Sequence, residues 1–302
     1  MCSPQEEDWG GDINHNCNAR LVSTGGMNFP PLVVFFYLIV CLGLFFAFPA
    51  KVLYWEYGSA AGVVLGAILG AVALAMFFLA ALSDPGVVPG RDEPLHDSGQ
   101  VRPPRIQKIL TSTGRTQLTY CEECHLFRGK TTEHCPQTSN CISRFDHFCP
   151  WIGNDVGARN YLFFFTFLVS VGLLVGLVVA CAVAQLVLEL YAVDSLPADA
   201  IGTICLLILV AFASLFALPL CVMHVKLAGE GRTTQESMMP QTRRKQLEVK
   251  WRLNTLVATL CRGRSPSLVR RRVDVNSGKV TMATEASAGD FMARKQTGMV
   301  QV

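Results

Sequence analysis

Charged residues are scarce in this chain of 302 residues. Asp, Glu, Lys and Arg make up 16% of it, against about a quarter in soluble domains, whereas hydrophobic residues make up 51%. The net charge of +3 is too small to indicate a nucleic-acid partner. An ordinary soluble domain and a nucleic-acid-binding domain are therefore both disfavoured, and a multi-span membrane protein is expected.

The first 30 residues lack the features of a cleaved signal peptide. Arg20 is their only basic residue, and no apolar segment begins before Pro30. Their acidic residues are Glu6, Glu7, Asp8 and Asp12. The first membrane span is therefore expected to act as its own insertion signal.

Long apolar runs dominate the rest of the chain. Four of them reach the roughly 20 residues that a helix needs to cross a bilayer. They contain almost no ionisable residues, which disfavours a transporter or channel because ion pathways usually use such residues. The runs cover about residues 31–49, 59–82, 161–185 and 201–225.

Three glycines recur at every fourth position of the second run, at Gly62, Gly66 and Gly70. They lie on one face of a helix, where they would allow another helix to approach closely. The alternative is that they reflect the ordinary composition of membrane helices.

These runs divide the chain into five segments. The predicted fold class is an all-α membrane protein of four transmembrane helices, with a cytosolic zinc-binding cysteine-rich domain between spans 2 and 3. We expect the end of the C-terminal tail to be disordered. The segments are a cytosolic N-terminal segment (1–30), spans 1 and 2 (31–82), the cysteine-rich domain (83–160), spans 3 and 4 (161–225) and a cytosolic C-terminal tail (226–302).

Lys and Arg are almost absent from the two short loops between spans. Of the 26 such residues, all but Lys51 lie in the N-terminal segment, the 83–160 segment or the tail. By the positive-inside rule, these three parts face the cytosol. Thiols stay reduced there, so clustered Cys and His residues indicate metal binding or catalysis rather than disulfides.

The segment from Tyr120 to Tyr161 contains five of the twelve cysteines and three of the six histidines. Cys121 and Cys124 have the spacing of a zinc knuckle, and His134 and Cys141 follow at distances that a compact loop can close. Four such ligands complete a structural zinc site, whose formation would supply folding free energy to a segment with few apolar residues. The alternative, cysteines buried as small apolar side chains, suits those within the spans better.

Asp146, His147 and Cys149 follow closely. A histidine can take the proton of a nearby thiol, and a carboxylate on its other ring nitrogen fixes its tautomer. The three residues thus offer an orienting acid, a base and a nucleophile. His147 or Cys149 could instead be further zinc ligands, although the preceding four already satisfy a tetrahedral ion.

Together these motifs resemble the cysteine-rich domain of the DHHC family of protein S-acyltransferases, or palmitoyltransferases, in a variant with a DHFC motif. The resemblance covers about residues 30 to 240. Thr234 and Glu236 could reach the active-site loop from span 4, the alternative being an ordinary polar segment. The matching features are the C-x2-C-x9-HC spacing, the Asp-His-x-Cys-Pro-Trp run at 146–151, Gly157, Asn160-Tyr161, Asp84-Pro85-Gly86 and the TTxE-like run at 233–236.

The resemblance implies a two-step reaction. Cys149 would attack the thioester of a long-chain acyl-CoA with His147 as base and Asp146 as orienting acid, and a cysteine of a substrate protein would then take the acyl group. An apolar cavity among the spans would hold the chain and open near Cys149. The implied partners are acyl-CoA, substrate proteins with membrane-proximal cysteines and the lipid bilayer, without nucleic acid. The implied location is the Golgi, the ER or the plasma membrane.

The second zinc site of the family is incomplete in this chain. Its four positions carry Cys135, Thr138, Phe148 and Asp155 here. We therefore expect one zinc ion, held by the four ligands already named, with packing around Phe148 in place of the second. An active enzyme is expected because the acid, base and nucleophile are all present. The alternative is a catalytically weak or inactive relative that binds partner proteins or lipid through the same fold.

Overall fold

The computed structural model describes residues 14–16, 21–23, 29–90, 103–111, 114–192, 198–238, 251–261 and 268. Most of the predicted N-terminal segment lies outside these ranges. So does the end of the tail, for which disorder was predicted.

Four helical stretches are long and apolar enough to cross a membrane, as the sequence predicted. The first is interrupted at Phe48, directly before Pro49, which has no N–H to continue the helical hydrogen bonds. The helices are α1 (Phe29–Ala47), α2 (Pro49–Trp55), α3 (Ala61–Leu82), α4 (Tyr161–Ala192) and α5 (Ala198–Glu230), followed by the short α6 (Thr234–Met238) and α7 (Leu253–Leu260).

The glycine-bearing face of α3 is buried against its neighbours. A Cβ atom on Gly66 would lie 2.3 Å from Cε1 of Phe45, and one on Gly70 would lie 2.9 Å from Cδ2 of Leu42. Because α1 approaches so closely, glycine is needed at these positions. The close-packing interpretation of the repeat is therefore the right one.

The segment between α3 and α4 is built from short antiparallel strands, so the all-α expectation is wrong for this part of the chain. The strands leave room for tight turns, in which His125, Ser139 and Arg144 adopt positive φ. Strand pairing provides hydrogen-bond partners for the backbone N–H and C=O groups of a segment that has little apolar core. The strands are β3 (Val87–Val88), β4 (Ile106–Thr111), β5 (Gly114–Cys121), β6 (Leu126–Arg128), β7 (Thr132–Cys135), β8 (Asn140–Ser143), β9 (His147–Cys149) and β10 (Asn154–Val156), and β1 (Asn14–Asn16) pairs with β2 (Leu21–Ser23) nearer the N-terminus.

The strands of this segment form three small sheets. Their orders are β4–β5–β6, β3–β8–β7 and β9–β10. In the β9–β10 sheet, Cys149 pairs with Asn154, and His147 pairs with Val156. This β9–β10 hairpin packs against the C-terminal end of α3. The contact fixes the position of Cys149 relative to the helices.

Side-chain amides fasten the hairpin to α3. The Asn154 amide donates to the carbonyl oxygens of Ala80 and Ser83 at 3.1 and 2.9 Å. Asn160 also donates to Ala80, at 3.2 Å, and accepts a 2.9 Å hydrogen bond from the backbone of Gly157. These bonds satisfy groups at the C-terminal end of α3, where backbone carbonyls lack helical partners.

A second connection uses the turn directly after α3. Asp84 is buried, and its Oδ1 accepts hydrogen bonds from the backbone of Gly86 and Val87 at 2.7 and 3.0 Å. Its Oδ2 lies 3.1 Å from Nε of Arg159. The Asp-Pro-Gly run thus ties the membrane helix to the chain just before α4.

Gly157 is packed so closely that substitution by alanine should destabilise the fold. A Cβ atom there would lie 2.5 Å from the carbonyl oxygen of Pro85 and 2.6 Å from Cγ2 of Ile142. We expect Gly157→Ala to lower the free energy of unfolding by about 1–3 kcal/mol. Thermal unfolding in detergent measures this. Gly129→Ala is the control, because nothing lies within 4 Å of its added Cβ, and equal stability of the two variants would contradict the packing argument.

Candidate active site and metal centre

Four predicted metal ligands come together between two hairpins. Cys121 ends β5, Cys124 lies in the turn that follows, and His134 of β7 pairs with Cys141 of β8. The Sγ atoms lie 3.6, 3.3 and 4.0 Å from Nδ1 of His134, in chain order. Tetrahedral ligands at about 2.0–2.3 Å from a zinc ion lie roughly 3.3–3.8 Å apart. The geometry therefore suits a single ion in the middle of the four.

The surroundings of these ligands also suit a metal. The carboxylate of Glu123 contacts Nε2 of His134, which leaves Nδ1 for an ion. Hydrogen bonds from Cys124 and Cys141 lower the pKa of the Cys121 thiol, whereas the pKa values of the Cys124 and Cys141 thiols are raised by the same bonds, so that the three sulfurs share protons. Three sulfurs and one imidazole are the donor set of structural zinc sites. The residues present thus fit zinc.

Three of the four positions of the second family site form a hydrogen-bonded group instead. Thr138 Oγ1 donates to Asp155 Oδ2 at 2.7 Å, and Cys135 is also hydrogen-bonded to Asp155. Burial raises the pKa of the Cys135 thiol to about 11, which favours the neutral donor. These three side chains are at most 1% exposed, whereas Phe148, which pairs with Asp155, is only half-buried. Hydrogen bonds, more than packing around Phe148, thus join β7–β8 to β9–β10.

The predicted acid, base and nucleophile also meet. Asp146 Oδ2 lies 2.7 Å from Nδ1 of His147, and His147 is in turn hydrogen-bonded to Cys149. Asp146 is 1% exposed and Cys149 is 4% exposed. The order acid, imidazole, thiol is that of cysteine nucleophiles activated by histidine.

Thr234, the first residue of α6, binds the carboxylate of Asp146. The backbone N–H of Thr234 donates to Oδ1 at 2.9 Å, and its hydroxyl donates to Oδ2 at 2.7 Å. The prediction that Thr234 reaches the active-site loop is confirmed. Glu236 does something different: it forms a capping box with Thr233, with hydrogen bonds of 3.1 and 3.2 Å, and so orients α6.

These contacts determine the protonation states of Asp146 and His147. Burial disfavours the carboxylate of Asp146, but hydrogen bonds from His147 and Thr234 lower its pKa. Burial likewise disfavours an imidazolium, yet the hydrogen bonds with Asp146 and Cys149 raise the pKa of His147 to about 9. At neutral pH the imidazole of His147 is therefore protonated on both nitrogens and is cationic. A cationic imidazole beside a sulfur stabilises the thiolate form of that sulfur.

The hydroxyl of Thr234 should matter measurably for this arrangement. Thr234→Val removes the bond to Oδ2 and keeps the backbone bond to Oδ1. A hydrogen bond to a charged group contributes about 1.5–3 kcal/mol, so we expect the rate of any reaction at Cys149 to fall at least about 10-fold. Rapid-quench labelling of Cys149 measures this. Gln235→Ala, at an exposed neighbouring position, is the control, and a wild-type rate in Thr234→Val would contradict the role of the hydroxyl.

Cys149 is surrounded by apolar side chains of the helices. Its neighbours in one buried cluster come from α3, from the turn after β9, from β10 and from α4. The side of Cys149 that faces the helices is therefore apolar. The cluster contains Phe77, Ala80, Ala81, Ile152, Val156, Phe164, Phe167 and Leu168.

Sequence reasoning missed one residue of this site, His224 of α5. It is 1% exposed, and its ring centroid lies 5.7 Å from that of His147 and 5.0 Å from that of Phe164. A histidine near the end of an otherwise apolar span was a signal that could have found it.

The chain is similar in sequence to known proteins. The family model described as DHHC palmitoyltransferase matches residues 115–241, a range that includes the four candidate metal ligands, Asp146, His147, Cys149 and Thr234. Palmitoyltransferase ZDHHC18-B of Danio rerio is 30% identical over 85% of this chain and 72% of its own length. Palmitoyltransferase ZDHHC18 of Homo sapiens is 29% identical over 87% of this chain and 73% of its own length.

A further relative, Palmitoyltransferase ZDHHC18-A of Danio rerio, is 28% identical over 94% of this chain, which spans 65% of that protein. The similarity therefore includes the spans as well as the cysteine-rich segment. From these matches, the chain belongs to the DHHC palmitoyltransferase family, enzymes that S-acylate the cysteines of proteins.

Proposed function

We propose that this chain transfers a long-chain acyl group, palmitoyl foremost, from acyl-CoA to cysteines of membrane-associated proteins through a thioester on Cys149. The observation that carries the proposal is the position of the thiol. Cys149 is hydrogen-bonded to His147 on one side and packed against apolar residues of α3 and α4 on the other. Charge stabilisation and a place for a fatty chain thus meet at one sulfur.

The first step forms the acyl-enzyme. His147 holds the proton of Cys149, and the thiolate attacks the carbonyl carbon of the acyl-CoA thioester. The bond to the sulfur of CoA breaks, and the imidazolium gives its proton to the CoA thiolate that leaves. Asp146 keeps Nδ1 of His147 protonated throughout, so that Nε2 exchanges the proton.

The second step reverses these roles. The neutral imidazole of His147 takes the proton of a substrate protein's cysteine, whose thiolate attacks the thioester on Cys149. The acyl–Cys149 bond breaks, and the resulting Cys149 thiolate lies again beside the imidazolium. Protons and sulfur bonds balance over the cycle, and no oxidant or reductant is needed.

The proposed orientation of the protein in the membrane rests on the distribution of its Lys and Arg residues and on the solubility of the two parts of acyl-CoA. The distribution of Lys and Arg supports a cytosolic active site and cytosolic termini. The proposed membrane is that of the Golgi, the ER or the plasma membrane. The acyl chain would stay among the helices while the CoA head group remains in water. Substrate cysteines near the membrane surface would reach Cys149 without leaving that surface.

Zinc has a structural part in this proposal. It would bind Cys121, Cys124, His134 and Cys141 and hold the hairpins in place, without touching Cys149. We propose one ion per chain, because the Cys135–Thr138–Asp155 group takes the positions of the second family site with hydrogen bonds.

Mass spectrometry of the intact protein and of its peptides tests the proposal. Purified protein incubated with palmitoyl-CoA should gain the mass of one palmitoyl group, and hydroxylamine at neutral pH should remove it. Peptide mapping should place the group on Cys149. Protein that keeps its unmodified mass under conditions in which a related palmitoyltransferase is labelled would instead indicate a catalytically silent relative.

A further inference from the structure

We infer that His224 is a positioning residue for acyl transfer, which holds the imidazole of His147 in line with Cys149. The inference rests on the proposed function, because it assigns a second histidine to the same site. His224 comes from α5, whereas Asp146, His147 and Cys149 belong to the β9 segment.

Two rings, those of His224 and Phe164, pack against His147 on the side of the helices. The centroid distances are 5.7 Å between His147 and His224, 5.3 Å between His147 and Phe164, and 5.0 Å between Phe164 and His224. Each ring therefore contacts the other two. A ring packed in this way cannot rotate about its Cβ–Cγ bond without moving a neighbour.

Packing alone does not explain why the residue is a histidine. His224 is 1% exposed, and the hydroxyl of Tyr161 lies 3.5 Å from its Nδ1, at the limit of a hydrogen bond. Its Nε2 is buried without a hydrogen-bond partner among the described residues. A buried polar atom without a partner costs free energy that phenylalanine or leucine would avoid.

The position of the polar ring supplies a reason. Ring nitrogens of His147 and His224 and a carboxylate oxygen of Asp146 lie within 4.8 Å of one another. His147 is an imidazolium before the first proton transfer and neutral after it, and it is neutral before the second and an imidazolium after it. A polar neighbour tolerates both forms, whereas an apolar wall would disfavour the charged one. His224 therefore keeps His147 oriented in both protonation states.

The test compares variants of His224 in single-turnover acylation by palmitoyl-CoA. His224→Leu keeps a similar volume without the polar atoms, and we expect the maximal rate of acyl-enzyme formation to fall about 10- to 100-fold. The half-saturating concentration of palmitoyl-CoA should change less than about 2-fold, because no contact with that substrate is assigned to the side chain. His224→Gln, which restores polar atoms, should recover at least half of the loss on a logarithmic scale.

The pH profile separates this role from a purely structural one. With leucine beside it, the imidazolium of His147 loses a polar neighbour, so the apparent pKa of the acylation step should move downward. The groups that face His147 and could titrate are Asp146, Cys149, His224 and Tyr161, and Tyr161→Phe should shift the profile in the same direction by less. Met223→Leu, at an exposed position next to His224, should behave as wild type.

Two results would overturn the inference. One is a His224→Leu variant with the rate and pH profile of the wild type. The other is a His224→Gln variant as slow as His224→Leu, which would reduce the role to packing. Both results presuppose wild-type protein that acylates itself, and failure of the wild type would instead reject the proposed function.

Discussion

Cys149→Ser is expected to abolish acyl-enzyme formation, lowering the incorporation of palmitate from palmitoyl-CoA by on the order of 1000-fold or more. A serine hydroxyl is far less acidic than a thiol, so the imidazole of His147 cannot generate an anion from it to a comparable extent. The change replaces sulfur by a smaller oxygen in a buried site, and the fold should survive it. A clickable palmitoyl-CoA analogue with in-gel fluorescence measures the loss.

The matched control is Cys261→Ser. Cys261 is exposed and follows α7, so its thiol is accessible but has no assigned base. Its substitution should leave the hydroxylamine-labile signal within about 2-fold of the wild type, since surface changes away from a site are usually small. Label that persists in Cys149→Ser and disappears in Cys261→Ser would place the nucleophile elsewhere.

Removal of zinc is expected to disorder the hairpins and to stop acylation. A structural zinc site contributes apparent binding free energies of about 10–16 kcal/mol, which is as large as the total stability of many domains, about 5–15 kcal/mol. The loss of one ligand in Cys124→Ser, or treatment with a strong chelator, should therefore expose the segment between α3 and α4. Limited proteolysis reports the exposure, and the four spans should stay intact in detergent.

A neighbouring cysteine provides the control for the metal. Cys135→Ser keeps a hydrogen-bond donor for Asp155, so elemental analysis should find one zinc per chain both in this variant and in the wild type. Two ions in the wild type, with one lost in Cys135→Ser, would show that Cys135 is a ligand. Unchanged proteolysis of Cys124→Ser would contradict a structural metal.

Much of this site could be predicted from spacing in the sequence, because the relevant residues are local. The candidate zinc ligands lie within 21 positions of one another (121 to 141), and the proposed acid, base and nucleophile are nearly adjacent. Chain connectivity alone brings such residues near each other. The spans were also predictable, because crossing a bilayer demands long apolar runs.

The rest depends on contacts between distant parts of the chain. The two bonds from Thr234 to Asp146 join residues 88 positions apart, and the sequence only allowed them. His224 lies in an apolar span, and only the packing of α5 against Phe164 brings it to the site. The strands of the cysteine-rich segment escaped prediction because turns and ligand spacing, rather than apolar alternation, determine them.

We expect the short connection between α5 and Thr234 to couple the active site to the tilt of α5 in the membrane. α5 has 33 residues, about 50 Å of helix, and Thr234 follows only four residues after its end. A helix longer than the hydrocarbon layer tilts to fit it, and the tilt changes with lipid length. Reconstitution into bilayers of increasing acyl length should therefore alter the rate of self-acylation in the wild type, and alter it less in Thr234→Val.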